Sequence, residues 1–443
     1  MDNKQTHRGY DRSILALAIP SLGALIAEPL FILIDSAIVG RLGTTQLAGL
    51  SIASTLLTTV VGLCVFLAYA TTSSVSRLLG AGRRAEALRS GIDGMWLALG
   101  LGVILAAALA LTAPHILSAL GGADGVLTQA TVYLRWSVIG LPGMLAVMAS
   151  TGVLRGLQDT RTPLVVASVG AVVNTILNLV LVYGAHLGIA GSGLGTALTQ
   201  LAMGAVLGAV VVRGTRAEGV SIRPAAHGIL ANARSGAPLF IRTISLRLAL
   251  LGTVFVATHL GAVALAGHQV VNSLWNFAAF ALDALAIAAQ ALIGRAIGAR
   301  DHAATLAILK RTLIWGLGAG LVLAVIMGGT SPLLAQLFTT DPQVRSAISA
   351  GLVAASVFMP WAGIVFIVDG ILMGAGDGVY LAKVGLINLA VYAPAAALVY
   401  MFAPSGSAGL VWLWVAFGLV YTGARLVSNG RRLRSDAWTE HTL

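Results

Sequence analysis

Two carboxylates stand within one apolar stretch near the start of this chain. Glu28 and Asp35 lie seven residues apart, about two helical turns, which puts both on one face of a helix. An ionisable group at bilayer depth costs about 2.5–3.5 kcal/mol on insertion scales, so its presence there points to function. Removal from water disfavours the charged form of a carboxylate, and a neighbouring carboxylate disfavours it further. Such a pair could load and release a proton near neutral pH; the plainer alternative is two acids lining a wet vestibule. Asn174 and Asn178 are one turn apart. They could hydrogen-bond a carboxylate on a facing helix, or serve as ordinary helix–helix glue. Thr196 is a weaker candidate of the same type.

A second polar set falls in later apolar stretches: Arg242, Arg247, His268, Gln269, Asp283 and Asp369. Arg242 with Asp283 or Asp369 would make a compensated buried pair, the usual condition for tolerating such charges. That network is either static or part of a transport cycle. His268 could titrate at a pH of about 6.5, although a hydrogen-bonded structural histidine is the commoner case. Pro20, Pro29, Pro142, Pro238 and Pro360 are candidate kinks or hinges, because proline removes a helix hydrogen bond.

The elements that must position these groups are membrane helices. The 443 residues are 58% hydrophobic and 10% charged, with a mean hydropathy of +0.92; a soluble domain carries about 25% charged residues. Apolar runs long enough to cross a bilayer, roughly 20 residues each, recur about twelve times. They predict helices over 13–40, 45–81, 85–119, 124–157, 161–184 and 190–213, then 238–259, 263–299, 301–337, 342–375, 379–402 and 407–430. The fold class expected is an all-α membrane protein of twelve transmembrane helices.

The second half repeats the first at a constant offset of 218 residues. Pro20 matches Pro238, Leu42-Gly43 matches Leu260-Gly261, and Leu47-Ala48-Gly49 matches Leu265-Ala266-Gly267. Arg77, Pro142 and Asp159 match Arg295, Pro360 and Asp377. Each half holds an even number of spans, so the repeat is parallel: a lobe over 1–213, a linker over 214–236 and a second lobe over 237–443. At the same offset Asp35 becomes Thr253 and Glu28 becomes Leu246. The halves stay alike where backbone geometry is set and diverge where charge sits, as expected if ion coupling lives mainly in one half.

The formal charge of +11 is a topology signal and excludes little else. Basic residues gather at alternate helix ends: Arg77, Arg83, Arg84 and Arg89; Arg155 and Arg161; Arg213 through Arg234; and Arg431, Arg432 and Arg434. By the positive-inside rule both termini are cytoplasmic, and anionic lipid headgroups are the expected partner, not nucleic acid. The single cysteine, Cys64, allows no intrachain disulfide. The first apolar segment reads as a span, not a removable signal. None of Lys4, Lys310 and Lys383 follows a glycine, so there is no Walker A loop, and no metal or hydrolase motif is present. The chain reads as a transporter and not an enzyme, with no cofactor.

Taken together these residues resemble the multidrug and toxic compound extrusion (MATE) family along nearly the whole chain. The pieces that carry the likeness are Ile34-Asp35-Ser36-Ala37-Ile38-Val39-Gly40, Asn174-Thr175-Ile176-Leu177-Asn178, Ala266-Gly267-His268-Gln269 and Leu372-Met373-Gly374-Ala375-Gly376-Asp377. Ile241-Arg242-Thr243, Ala281-Leu282-Asp283, Gly298-Ala299-Arg300-Asp301 and Val368-Asp369-Gly370 look like its DinF-like branch. The resemblance implies two six-helix bundles arranged as a V, and export of amphipathic, often cationic compounds in exchange for protons or sodium ions. The family's first-lobe ion site matches Asp35, Asn174 and Asn178. Many relatives carry an amide in place of Glu28. Leu246 replaces an acidic residue that some use in the seventh span, which weakens a second-lobe sodium site like theirs, and proton coupling is the expectation. The expectations are therefore a monomeric multi-pass protein of the plasma (inner) membrane that handles a small organic substrate. The competing readings are a flippase of lipid-linked precursors or polysaccharides from the same superfamily, and a non-coupled channel or scaffold component.

Overall fold

The computed structural model describes residues 2–122 and 124–439, which are almost wholly helical, with no strand among them. The spans are α1 (Asp2–Gly40), α2 (Thr44–Gly80), α3 (Arg84–Ala119), α4 (Gly125–Gly156), α5 (Arg161–Gly184), α6 (Ile189–Ala217), α7 (Ala226–His259), α8 (Ala262–Gly298), α9 (His302–Gly329), α10 (Pro342–Val357 with Met359–Ala375), α11 (Gly378–Phe402) and α12 (Ser407–Arg434). Eleven are long and apolar enough to cross a membrane; α10, a pair bent by 52° at its break, counted as one span makes the twelfth. Large apolar side chains such as Leu111, Val325 and Phe402 are exposed on them. Water would penalise that surface; lipid does not. This is the all-α, twelve-span protein expected from the sequence.

The prolines act in two ways. In α4 a tight 3₁₀ turn at Val138–Gly140 precedes Pro142, and in α10 the break at Phe358 precedes Pro360. The missing N–H falls where the helical ladder is already interrupted. Pro20 and Pro29 lie inside uninterrupted α1, and Pro238 lies inside α7. Helix α7 begins at Ala226, well before the start expected at Pro238. Its first turns are tied to α3: Asp93 accepts from the Ala225 N–H, and Asn232 donates to the Ser90 carbonyl at 3.2 Å. The segment leading into α7 is strapped to the same helix by Arg84 to Glu218 at 2.8 Å, Arg89 to the Ser221 carbonyl at 2.6 Å and Trp96 to the Ile222 carbonyl at 3.0 Å.

The chain divides into two compact units. One, the N-unit, is Ile19–Ala237; the other, the C-unit, joins the residues up to Ala18 with those from Pro238 onward. Residues 440–443 of the expected second lobe lie outside the described residues. Inside the C-unit, Arg311 on α9 donates to both oxygens of Asp11 at the start of α1, and Trp315 donates to Asp11 Oδ1 at 2.7 Å. Inside the N-unit, the position 218 residues before Arg311 is Asp93, which pairs with Arg89 at 3.0 Å beside the start of α7. Each unit therefore grips the first turns of a helix with a charged residue at the same place in the repeat.

The repeat is also written in the backbone. Left-handed residues recur in register: Gly43 and Gly261, Gly82 and Arg300, Gln158 and Gly376, Gly188 and Gly406. Gly152 lies against the Ala68 backbone, and Gly370 against that of Ala286, at equivalent crossings. Small residues there let helix backbones approach closely, the usual packing device in membranes. The cores differ, however. The N-unit core is mostly aliphatic, around Leu50, Leu117, Leu134 and Leu141. The C-unit core is filled by Trp275, Tyr392, Trp414, Phe417 and Tyr421.

Candidate functional site

Asp35 sits on α1 in the N-unit and is 5% exposed. Two helices supply its partners. From α5, Asn178 Nδ2 donates to Asp35 Oδ1 and also to Asn174 Oδ1, at 3.3 Å. From α6, Thr196 Oγ1 donates to Asp35 Oδ2 at 3.1 Å. Beyond Asn178 the helix widens into a π-helical turn, Val180–Gly184, whose Tyr183 hydroxyl donates to the Ile38 carbonyl of α1 at 2.5 Å. That bond pins the end of α5 to α1 next to the acid. Gly195 on α6 packs so closely that a Cβ there would collide with Asn178 Oδ1. This oxygen is fully buried and has no hydrogen-bond partner.

Asp35 and Glu28 line one cavity of about 240 Å³ within the N-unit, walled by segments of α1, α2, α4, α5 and α6. Glu28 is the more exposed of the two acids. Most of the wall is apolar: Phe31, Leu57, Val61, Met144, Met148 and Met203 contribute to it. The other polar groups on it include Tyr133, Arg155, Thr196 and Gln200. A cavity of this kind can take an apolar body, its flexible methionines adapting to shape, and can balance one or two positive charges at its acids.

The C-unit polar residues separate into two places. Asp369 on α10, 3% exposed, accepts from Arg242 of α7 and, at 2.6 Å each, from Arg425 and Asn429 of α12. Arg425 also lies over the rings of Phe366 and Tyr421, at 5.9 Å and 5.7 Å. A carboxylate with two guanidinium partners and an amide donor has its charge and lone pairs met on the spot, the condition for keeping it buried. His268 stands elsewhere, fully buried against Thr253 and Trp414. Arg247 and Gln269 are exposed, and Asp283 is half-buried in α8.

The structure thus gathers Asp35, Asn174, Asn178 and Thr196 into one cluster, with Glu28 on the same cavity wall, and joins Arg242 to Asp369. Sequence reasoning missed Arg425 and Asn429, although Arg425 interrupts an apolar run as Arg242 does. It also missed Gly195, whose role is visible only in the approach of α6. Arg155, expected from the sequence as a helix-end topology residue, is buried, 8% exposed, and reaches the cavity wall.

The MatE family model matches the chain twice, over residues 20–180 and 238–403, so the two matches begin 218 residues apart. The Escherichia coli (strain K12) DNA damage-inducible protein F is 27% identical over 439 residues, covering 97% of this chain and 94% of that protein. The multidrug resistance protein MdtK of Edwardsiella ictaluri is 26% identical, covering 83% of this chain and 82% of its own length. A crystal structure of the Vibrio cholerae MATE transporter VcmN in the bent form superposes with a TM-score of 0.88 at 21% identity, covering 98% of this chain and 99% of that one. With the family's model matched in both halves and its fold reproduced, this multi-pass membrane protein belongs to the MATE family of multidrug and detoxification transporters, and is not an enzyme.

Proposed function

We propose that this chain is a proton-coupled antiporter that exports amphipathic, cationic organic compounds by alternating access. It acts in the plasma (inner) membrane with both termini cytoplasmic. One observation carries the reading: a buried carboxylate within an apolar span, Asp35, stands on the wall of a mostly apolar cavity and accepts hydrogen bonds from Asn178 and Thr196. As a carboxylate, Asp35 uses both donors. As an acid it has a proton to donate, and Asn178, by rotating its amide, turns its unpartnered Oδ1 toward it. The site has partners for both protonation states.

The coupling follows from charge. An unbalanced carboxylate away from water is costly, so the cavity is comfortable with a proton on Asp35 or with a substrate cation beside it, and not with neither. Glu28, the more exposed of the two acids, draws cations toward the same wall. The multidrug resistance name of the Edwardsiella ictaluri relative supports the substrate class. Sodium is the second reading, because Asp35, Thr196 and the free Oδ1 of Asn178 are all hard oxygen donors of the kind such cations take.

The test is efflux of a cationic dye from proteoliposomes under an imposed pH gradient or an imposed sodium gradient. The expected result is transport driven by the pH gradient alone, and none by a folded Asp35→Asn variant. Wild-type rates from that variant would remove Asp35 from the coupling step; sodium-driven transport would replace the proton with sodium.

A further inference from the structure

The C-unit holds a different polar set at the positions that match the Asp35 cluster. At the 218-residue offset Thr253 stands for Asp35, Tyr392 for Asn174 and Trp414 for Thr196. Thr253 Oγ1 donates its one proton to the Leu250 carbonyl at 2.7 Å. Its contact with His268 Nε2, at 3.2 Å, must therefore be an N–H of the imidazole donating to the hydroxyl oxygen. In the neutral imidazole this puts the proton on Nε2 and leaves Nδ1 a bare acceptor.

His268 is 0% exposed, and its Nδ1 has no partner. Trp414, 2% exposed, packs against it with ring centroids 5.6 Å apart, and its Nε1–H has no partner either. A third unpartnered group, the hydroxyl of Tyr392, lies one ring further on, across Phe417. Buried polar atoms left unpaired are costly, and internal waters are the usual means of satisfying them. One acceptor and one donor on rings this close are within reach of a single bridging molecule, which spans two hydrogen bonds of about 2.8–3.0 Å each.

We propose that His268 Nδ1 and Trp414 Nε1 bind one internal water, which accepts from the indole and donates to the imidazole. The side chains packed around the pair, Thr253, Trp275 and Phe417, carry no charge, so the site takes a neutral hydrogen-bonding ligand and not a cation. Where the N-unit has an acid, the C-unit has a hydrated, uncharged counterpart.

Nuclear magnetic resonance on the full chain in nanodiscs, labelled with nitrogen-15 at tryptophan and histidine, tests this directly. The Trp414 indole proton, identified by its loss in Trp414→Phe, is expected to show a cross-peak to water. His268 Nδ1 is expected to resonate as an unprotonated, hydrogen-bonded nitrogen at neutral pH, and the cross-peak to disappear in His268→Leu. Absence of the water cross-peak in the wild type, or a proton on Nδ1 at neutral pH, overturns the proposal. Both decisive readings are made on the unsubstituted protein, so a His268→Leu chain that fails to fold leaves the test intact.

Discussion

Asn178 donates a hydrogen bond to Asp35 from 143 residues further along the chain, so α5 holds the acid that α1 carries. Removing that donor withdraws a hydrogen bond to a charged group, worth about 1.5–3 kcal/mol. Asn178→Ala is expected to slow proton-driven efflux by at least about tenfold. Initial rates in proteoliposomes, with the thermal midpoint as a folding control, check this; an unchanged rate would detach Asn178 from the coupling site.

Gly195 makes room for the same amide. A methyl group there meets Asn178 Oδ1, and overpacking of this kind costs about 1–3 kcal/mol. Gly195→Ala is expected to lower both efflux and thermal stability. In an Asn178→Ala background the added methyl should cost much less stability, because the oxygen it meets is gone. Additive losses in that double-mutant cycle would show that the collision does not set the cost.

Asp369 tests the C-unit cluster. Breaking a buried charge network by removing one member costs about 3–5 kcal/mol, because the partners are left uncompensated. Asp369→Ala, which strands Arg242 and Arg425, is expected to lower the melting temperature by many degrees in detergent. Arg432→Gln, which takes one cation from Asp377 but leaves a side-chain amide able to donate to it, should do so by far less. Thermal unfolding followed by size-exclusion fluorescence compares the two, and equal effects would refute the ranking.

Arg300 adopts φ 55°, where its repeat partner Gly82 has φ 74°. The left-handed region costs a side chain about 1–2 kcal/mol, and glycine avoids it. Because Arg300 is exposed, Arg300→Gly is expected to raise stability by up to about 1 kcal/mol. Gly376→Ala, at φ 85°, should lower it. The same thermal assay reads both, and a destabilised Arg300→Gly protein would contradict the strain argument.

Much of this was legible in the sequence. The spans, the parallel repeat and the membrane setting follow from apolar runs and from prolines, arginines and aspartates in register. Asp35 stood out because an acid inside an apolar helix is costly wherever the helix packs. Asn178 and Thr196, candidates as partners for a carboxylate, donate to Asp35, and Asn174 joins them through Asn178. The choice between Asp283 and Asp369 as a partner for Arg242 was not legible, nor were Arg425 and Asn429 of α12, because a pairing preference needs a distance. The early start of α7 was hidden too: its first turns are polar, and what holds them is Asp93 and Ser90 on α3.

By itself, then, the sequence determined which segments enter the membrane, where the chain repeats, and which half keeps an acid at the Asp35 position. Those properties depend on solvation and on near neighbours along the chain, and both are read one residue at a time. Tertiary structure alone decided that an amide and a hydroxyl meet Asp35 at the edge of a cavity, that Gly195 brings α6 against that amide, and that two arginines share Asp369. Each of those facts is a meeting of side chains carried by different helices, and packing selects among pairings that composition leaves equal.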